Sequence, residues 1–303
     1  MKNRFHTKGY QGYSVEFSPF FQNKLAIASA ANFGIVGNGR LFISDLSGIQ
    51  KSYDTQDGLF DLAWSENHEN HIITSGGDGS IKLWDVSLND YPIHNYTEHI
   101  KEVFSVNWNL VTKNVFISGS WDLSIKLWNP EMPKSLQTWQ EHTACIYQTT
   151  WCPHNPDTFA SASGDQTVKL WDVRQPRSVN TIHAHTNEIL ALDWNKYKRD
   201  TIVTGSVDTT IKEWDLKMPN RPLNEIKAHD YAVRRLKCSP HDASIVASVS
   251  YDMTMRLWNL TNMQQIYVHD DHTEFVLGVD FNLFQPGLLA TCAWDGFVDI
   301  FHP

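Results

Sequence analysis

Apolar positions along this chain fall in short alternating runs. Val103-Phe104-Ser105-Val106-Asn107-Trp108 and Val115-Phe116-Ile117-Ser118 repeat with the period of a strand. Stretches rich in Asn, Asp and Gly lie between such runs and supply turns. The pattern then returns at a fixed interval. Ser80-Ile81-Lys82-Leu83-Trp84-Asp85 is echoed by Ile125-Lys126-Leu127-Trp128-Asn129, Val168-Lys169-Leu170-Trp171-Asp172, Ile211-Lys212-Glu213-Trp214-Asp215 and Met255-Arg256-Leu257-Trp258-Asn259. The tryptophans are 43 or 44 residues apart, and one more step reaches Phe301. One step back, Gly39–Asp45 aligns with Gly79–Asp85, with Ser44 in the Trp place. That makes seven units. A lone four-stranded sheet cannot bury both faces, whereas a closed ring of such sheets can. The expectation is an all-β fold of seven blades forming one domain over residues 1–303. Two residues follow Phe301, so the last blade lacks an outer strand. Residues near Arg4 to Thr7 are expected to supply it and close the ring.

Further positions repeat in register. An Asp stands six residues before each aromatic: Asp78, Asp122, Asp165, Asp208, Asp252 and Asp295. A hydroxyl residue stands four before each Asp: Thr74, Ser118, Ser161, Thr204, Ser248 and Thr291. A His stands 23 before the Asp in five units, at His99, His142, His185, His229 and His272, while Thr55 takes that place in the second unit. His, hydroxyl and Asp together invite a hydrolase reading. A catalytic constellation occurs once, however, and this one recurs in blade after blade. No catalytic residue is therefore assigned.

These motifs resemble the WD-repeat β-propeller family over nearly the whole chain, with Glu-His, Ala-His or Asp-His in place of the family's Gly-His. The resemblance implies a structural hydrogen-bonded tetrad within each complete blade. The sets are His99/Ser118/Asp122/Trp128, His142/Ser161/Asp165/Trp171, His185/Thr204/Asp208/Trp214 and His229/Ser248/Asp252/Trp258. Thr55 and Phe301 leave the second and last units incomplete, and packing is expected to hold those blades.

Composition narrows the function. The chain has 25 Lys+Arg against 34 Asp+Glu, a net charge of −9. It lacks the global basic field of a duplex-DNA binder, and no nucleic-acid partner is expected. No apolar run of membrane-spanning length occurs, and Met1–Gly12 has no apolar core of a secretory signal. Cys145, Cys152, Cys238 and Cys292 form no C-x-x-C pair and fit buried thiols in a reducing compartment. His68-Glu69-Asn70-His71 falls in a hairpin turn with the wrong spacing for a helical zinc motif. Gly34-Ile35-Val36-Gly37-Asn38-Gly39 leads into a strand and makes a poor phosphate loop. Neither a metal nor a cofactor is expected.

In WD-repeat proteins the top face is built by residues just after the His and just before the Asp. Five places after each His position stand Phe60, Phe104, Tyr147, Leu190, Arg234 and Leu277, with Tyr13 by alignment. Three places after stand Glu102, Cys145, Glu188, Ala232 and Phe275, and before the Asp stand Gly77, Trp121, Gly164, Val207, Tyr251 and Trp294. Exposed aromatics with a few carboxylates mark a binding surface. They suit an amphipathic helix with basic residues on its flank. Glu102, Glu188 and Asp61 are candidates for the basic residues. Tyr13, Phe60, Phe104, Trp121, Tyr147, Tyr251 and Trp294 are candidates for the apolar stripe.

The first unit is the least regular. Its strings Gly12-Tyr13-Ser14-Val15-Glu16-Phe17-Ser18-Pro19-Phe20 and Leu25–Leu41 resemble the start of receptors for the type-2 peroxisomal targeting signal, the peroxin-seven family. That resemblance implies a receptor that binds an N-terminal helical signal on folded matrix enzymes in the cytosol. It also implies an import co-receptor, a peroxisomal docking machinery, and shuttling between cytoplasm and peroxisomal matrix. A generic WD-repeat scaffold for another basic peptide is the alternative, because an acidic face attracts any basic tail.

Overall fold

The computed structural model describes residues 2–88 and 91–303; Met1, Asn89 and Asp90, within the expected 1–303 span, lie outside the described residues. The described residues form seven antiparallel sheets of four strands each. The first blade comprises Gln11–Phe17, Lys24–Ala30, Gly39–Asp45 and Gly48–Thr55. The innermost strands of the other six are Leu59–Trp64, Val103–Trp108, Ile146–Trp151, Ile189–Trp194, Val233–Cys238 and Val276–Phe281. Each packs against the innermost strand of the next blade, and the last packs against the first. The result is a seven-bladed WD-repeat β-propeller. Among the described residues no helix is long and apolar enough to cross a membrane.

Burial explains the composition of the strands. The second strand of a blade is sandwiched on both faces, so Phe116–Ser120 is buried at every position. The outer strand Gln137–Trp139 alternates and points Trp139 inward. Ile117, Ile125, Trp139, Ile146, Trp151, Phe159 and Trp171 join adjoining blades in one core cluster. Such aromatics bury a large apolar area in each interface between blades.

The last blade consists of Val276–Phe281, Leu289–Ala293, Phe297–Phe301 and the N-terminal strand Lys2–His6. Closure by the N-terminus thus begins two residues before the expected segment. Lys2 faces Phe301, Arg4 faces Asp299 and His6 faces Phe297.

One irregularity recurs in all seven blades. The register between the first and second strands slips once, near the start of the first strand. The slips fall between Gly12 and Ser14, Leu59 and Asp61, Val103 and Ser105, Ile146 and Gln148, Ile189 and Ala191, Val233 and Arg235, and Val276 and Gly278. The skipped residues are Tyr13, Phe60, Phe104, Tyr147, Leu190, Arg234 and Leu277. A bulge of this kind re-aims one side chain and leaves the ladder intact on either side.

Candidate ligand-binding face

Polar networks within the blades use most of the chemistry-bearing residues. His142 Nδ1 lies 2.7 Å from Asp165, its Nε2 lies 2.7 Å from Ser161 Oγ, and Trp171 Nε1 donates to the same Oγ at 2.8 Å. His99, Ser118, Asp122 and Trp128 repeat this with all three distances at 2.8 Å. His185, Thr204, Asp208 and Trp214 do so at 2.9, 2.7 and 3.0 Å. His229, Ser248, Asp252 and Trp258 do so at 2.8, 2.7 and 3.0 Å. The only consistent polarity runs from Trp N–H to the hydroxyl oxygen, from the hydroxyl to His Nε2, and from His Nδ1–H to Asp. Burial would raise these Asp pKa values, but hydrogen bonds from the His and a Ser or Thr outweigh it and hold them well below the usual range. The hydroxyls Ser118, Ser161, Thr204 and Ser248 are all fully buried, so no substrate can reach them.

The incomplete units behave as their sequences dictate. In the second blade Trp84 Nε1 donates to Thr74, and Thr55 donates to the Asp57 carbonyl oxygen. In the last blade His272 bonds Asp295 and Thr291, while Phe301 has no donor to add. His269, His272 and Asp299 have ligand atoms within 4.8 Å of one another. Most of their bonding capacity is already used: Asp299 accepts from both Arg4 and His269 Nε2, and both nitrogens of His272 are engaged.

The skipped residues build the axial mouth. A cavity of about 290 Å³ is lined by six of them, Tyr13, Phe104, Tyr147, Leu190, Arg234 and Leu277, together with Trp121, Glu188, Val207, Tyr251 and Trp294. Two loops per blade reach the mouth and are tied together by a repeated backbone bond. Trp121 N donates to Glu102 O, Val207 N to Glu188 O, Tyr251 N to Ala232 O and Trp294 N to Phe275 O. Phe60, Phe104 and Trp121 form a continuous stack, with ring centroids 4.6 and 4.5 Å apart. Tyr147 meets Phe104 edge-on at 6.1 Å. Burial pushes the phenols of Tyr13 and Tyr147 up to about 12, so both are neutral hydroxyls at neutral pH.

The first blade adds a wall. Its Ala31–Asn38 connection turns over the mouth, where Tyr13 donates to the Phe33 carbonyl oxygen at 2.7 Å and the Phe33 ring lies 5.3 Å from Trp294. Gly34 has φ +70, and a Cβ there would come within 2.6 Å of the Tyr13 hydroxyl and 2.9 Å of Phe60. Only glycine permits that approach. Ile35 and Val36 stand exposed at the crest.

The structure brings seven of the ten candidate residues to this cavity: Tyr13, Phe104, Trp121, Tyr147, Glu188, Tyr251 and Trp294. Phe60 lies behind Phe104 and beside Tyr13, and Glu102 sits half-buried outside the cavity, bonded through its backbone to Trp121. Two expectations are corrected. Tyr13 and Phe60 are buried, because the Ala31–Asn38 connection and neighbouring rings cover them. Asp61 is not on the rim. It follows the bulge, points deeper into the channel, and accepts from Ser14 Oγ (2.8 Å), Arg235 Nη1 (2.8 Å) and Val106 N (3.1 Å). Sequence reasoning placed Leu190, Val207, Arg234 and Leu277 in register with the mouth but left them out of the candidate site; the cavity includes them.

The opposite end of the channel carries mixed charge. Glu16 and Asp280 each lie 3.5 Å from Lys237, and Arg235 and Asp193 line the same cleft. Burial pushes Glu16 up to about 7 despite Lys237, and raises Asp280 as well.

Fold and site together define a WD-repeat propeller whose repeated polar sets are structural and whose axial mouth is lined with aromatic side chains. The family model "WD domain, G-beta repeat" matches residues 49–85 and 90–129, and "EIPR1 beta-propeller" matches 133–258. The chain is 63% identical over 292 residues to a peroxisomal targeting signal 2 receptor of Dictyostelium discoideum, covering 94% of this chain and 92% of the relative. It is 50% identical over 301 residues to the mouse receptor of that name, covering 97% and 95%. It is 54% identical over 302 residues to "Peroxisome biogenesis protein 7" of Arabidopsis thaliana, again covering 97% and 95%. The chain belongs to the peroxisomal targeting signal 2 receptor family, which is a family of receptors on a propeller scaffold and not of enzymes.

Proposed function

We propose that this chain is a cytosolic receptor for the N-terminal helical type-2 signal of folded peroxisomal matrix enzymes. With a co-receptor it delivers them to the peroxisomal docking machinery, shuttling between cytoplasm and matrix. One observation carries the mechanism: a ring of bulge residues gathers aromatic side chains into one axial cavity, with the half-buried carboxylates of Glu188 at the cavity and Glu102 beside it. An amphipathic helix laid across this face would seat its apolar stripe on Phe104, Trp121, Tyr147, Tyr251 and Trp294. Glu188 and Glu102 would pair with its basic residues and set its register. The membership of the family supports the same reading.

Fluorescence anisotropy with a labelled type-2 signal peptide tests it, with and without a candidate co-receptor. A scrambled peptide of equal charge is the control. Saturable binding of the true peptide, tightened by the co-receptor, is expected. Equal binding of both peptides would reduce the mouth to a generic acidic platform.

A further inference from the structure

The unsatisfied polar atoms of the mouth have one sign. Trp121 Nε1 and both terminal nitrogens of Arg234 are buried without a hydrogen-bond partner, and Trp294 Nε1 has only the Tyr13 hydroxyl near it, in no well-formed hydrogen bond. All three residues line the same cavity. Every one of these atoms is a donor. Buried donors without partners are rare and costly, and their clustering marks a place built for an acceptor.

Charge tells the same story. Arg234 and Arg235 are adjacent on one strand and both buried. The one carboxylate bonded to this pair, Asp61, is engaged with Arg235, Ser14 and the Val106 N–H. Arg234 takes part in no ion pair among the described residues. What faces it is the Phe104 ring, 5.6 Å from its guanidinium carbon; the Tyr251 and Tyr13 phenols, the Arg235 cation and the Asp61 carboxylate are also close enough to feel its charge, but Asp61 is bonded elsewhere. Ring contacts offset part of the lost hydration of a cation but provide no oxygen for its N–H fork. Burial accordingly pulls the Arg234 pKa down.

We propose that the mouth contains a carboxylate-binding subsite, with Arg234 as the cationic floor and the Trp121 and Trp294 indole N–H groups on its walls. It would take an acidic side chain of a bound peptide or a small free carboxylate. The ligand face is then two-tiered. Glu188 at the cavity edge selects a basic group, and Arg234 below selects an acid. The peptide-borne case rests on the receptor reading above; the subsite itself does not.

The test uses the full chain labelled with 15N-tryptophan, following the Trp121 and Trp294 indole resonances. Sodium acetate replaces sodium chloride at constant ionic strength. In parallel, signal peptides with Glu placed in turn at each mid-helix position are titrated beside the parent peptide. Arg234→Met and Arg234→Lys are measured alongside. Removing an unpaired buried charge should leave Arg234→Met folded, and a melting curve checks this.

Saturable acetate shifts at both indoles, at least tenfold weaker in Arg234→Met and partly kept in Arg234→Lys, establish the subsite for a free carboxylate. A Glu-bearing peptide whose loss of affinity in Arg234→Met exceeds the parent peptide's loss at least tenfold establishes the peptide-borne case. Neither effect in the wild type, or effects of equal size in Arg234→Met, would overturn the proposal. The parent peptide is the separate control: if it fails to bind, the receptor reading falls while the acetate arm still decides the subsite.

Discussion

Arg4 grips both oxygens of Asp299 across the seam of the ring, Nε to Oδ1 at 2.5 Å and Nη2 to Oδ2 at 2.8 Å. The corresponding position in five other blades is a cation: Lys82, Lys126, Lys169, Lys212 or Arg256. The last blade inverts the charge and takes its cation from the N-terminal strand. A closing strand is thereby told apart from any other exposed edge, which guards against mispairing. Burial would raise the Asp299 pKa, yet bonds from His269 and Arg4 hold it well below the usual range. Arg4→Ala should lower the unfolding free energy by about 1–3 kcal/mol, because a buried carboxylate loses a partner. Asp299→Lys should release Lys2–His6 from the sheet. Urea unfolding and limited proteolysis at the N-terminus check both.

Ser161 is the hub of its tetrad, serving His142 and Trp171 at once. Ser161→Ala should cost about 1–3 kcal/mol by stranding a buried donor and acceptor. Trp171→Ala removes a fully buried ring and should cost about 3–5 kcal/mol. Neither substitution touches the mouth. Signal-peptide affinity measured well below the melting point should stay within about twofold, a change worth under 1 kcal/mol.

Acid should unfold the protein through its tetrads. Asp122, Asp165, Asp208 and Asp252 have folded pKa values below the reference of 3.8. The unfolded chain therefore binds protons first, and the stabilisation present above pH 3.8 is lost as pH falls through and below it. Asp165→Asn should flatten that decline by removing one of the four contributions. Glu16 has the opposite sign: its folded pKa is raised from 4.5 to about 7, so its contribution is full below 4.5 and lost as pH rises through 7. Glu16→Gln should reduce this second slope, leaving only the part due to the neighbouring Asp280, whose pKa is also raised. Urea midpoints measured from pH 3 to pH 8 separate the two.

Charge reversal at the rim should separate binding from folding. Glu188→Lys and Glu102→Lys alter half-buried side chains that form no ion pair among the described residues. Each should weaken signal-peptide binding about tenfold, equivalent to about 1.4 kcal/mol, with the melting temperature nearly unchanged. Anisotropy and thermal melts on the same preparations check this. Unaltered affinity in both variants would remove these carboxylates from the site.

The blades and their tetrads were legible because they obey one period. Trp171 and Asp165 repeat at fixed offsets, and so does the bulge position five places after His142, where Tyr147 stands. Asp61 was misplaced for a local reason. It directly follows the skipped Phe60, where strand alternation resumes and carries its side chain into the channel. Its partner Arg235 lies 174 residues away, and no short-range pattern announces that pairing. Arg234 shows a different limit. Its register was readable, but its lack of a partner depends on every other side chain in the mouth.

The recurring bulge also bears on how such a receptor can change. Each skipped residue has no opposite number in the neighbouring strand, so exchanging its side chain leaves the ladder untouched. Tyr13, Phe60, Phe104, Tyr147, Leu190, Arg234 and Leu277 thus stand as seven teeth on one wheel, placed by the bulges and packed against one another and their neighbours in the mouth. Under the receptor role proposed above, substitutions among the teeth that reach the cavity would change ligand preference, while the instructions for assembling the wheel stay in other positions of the sequence.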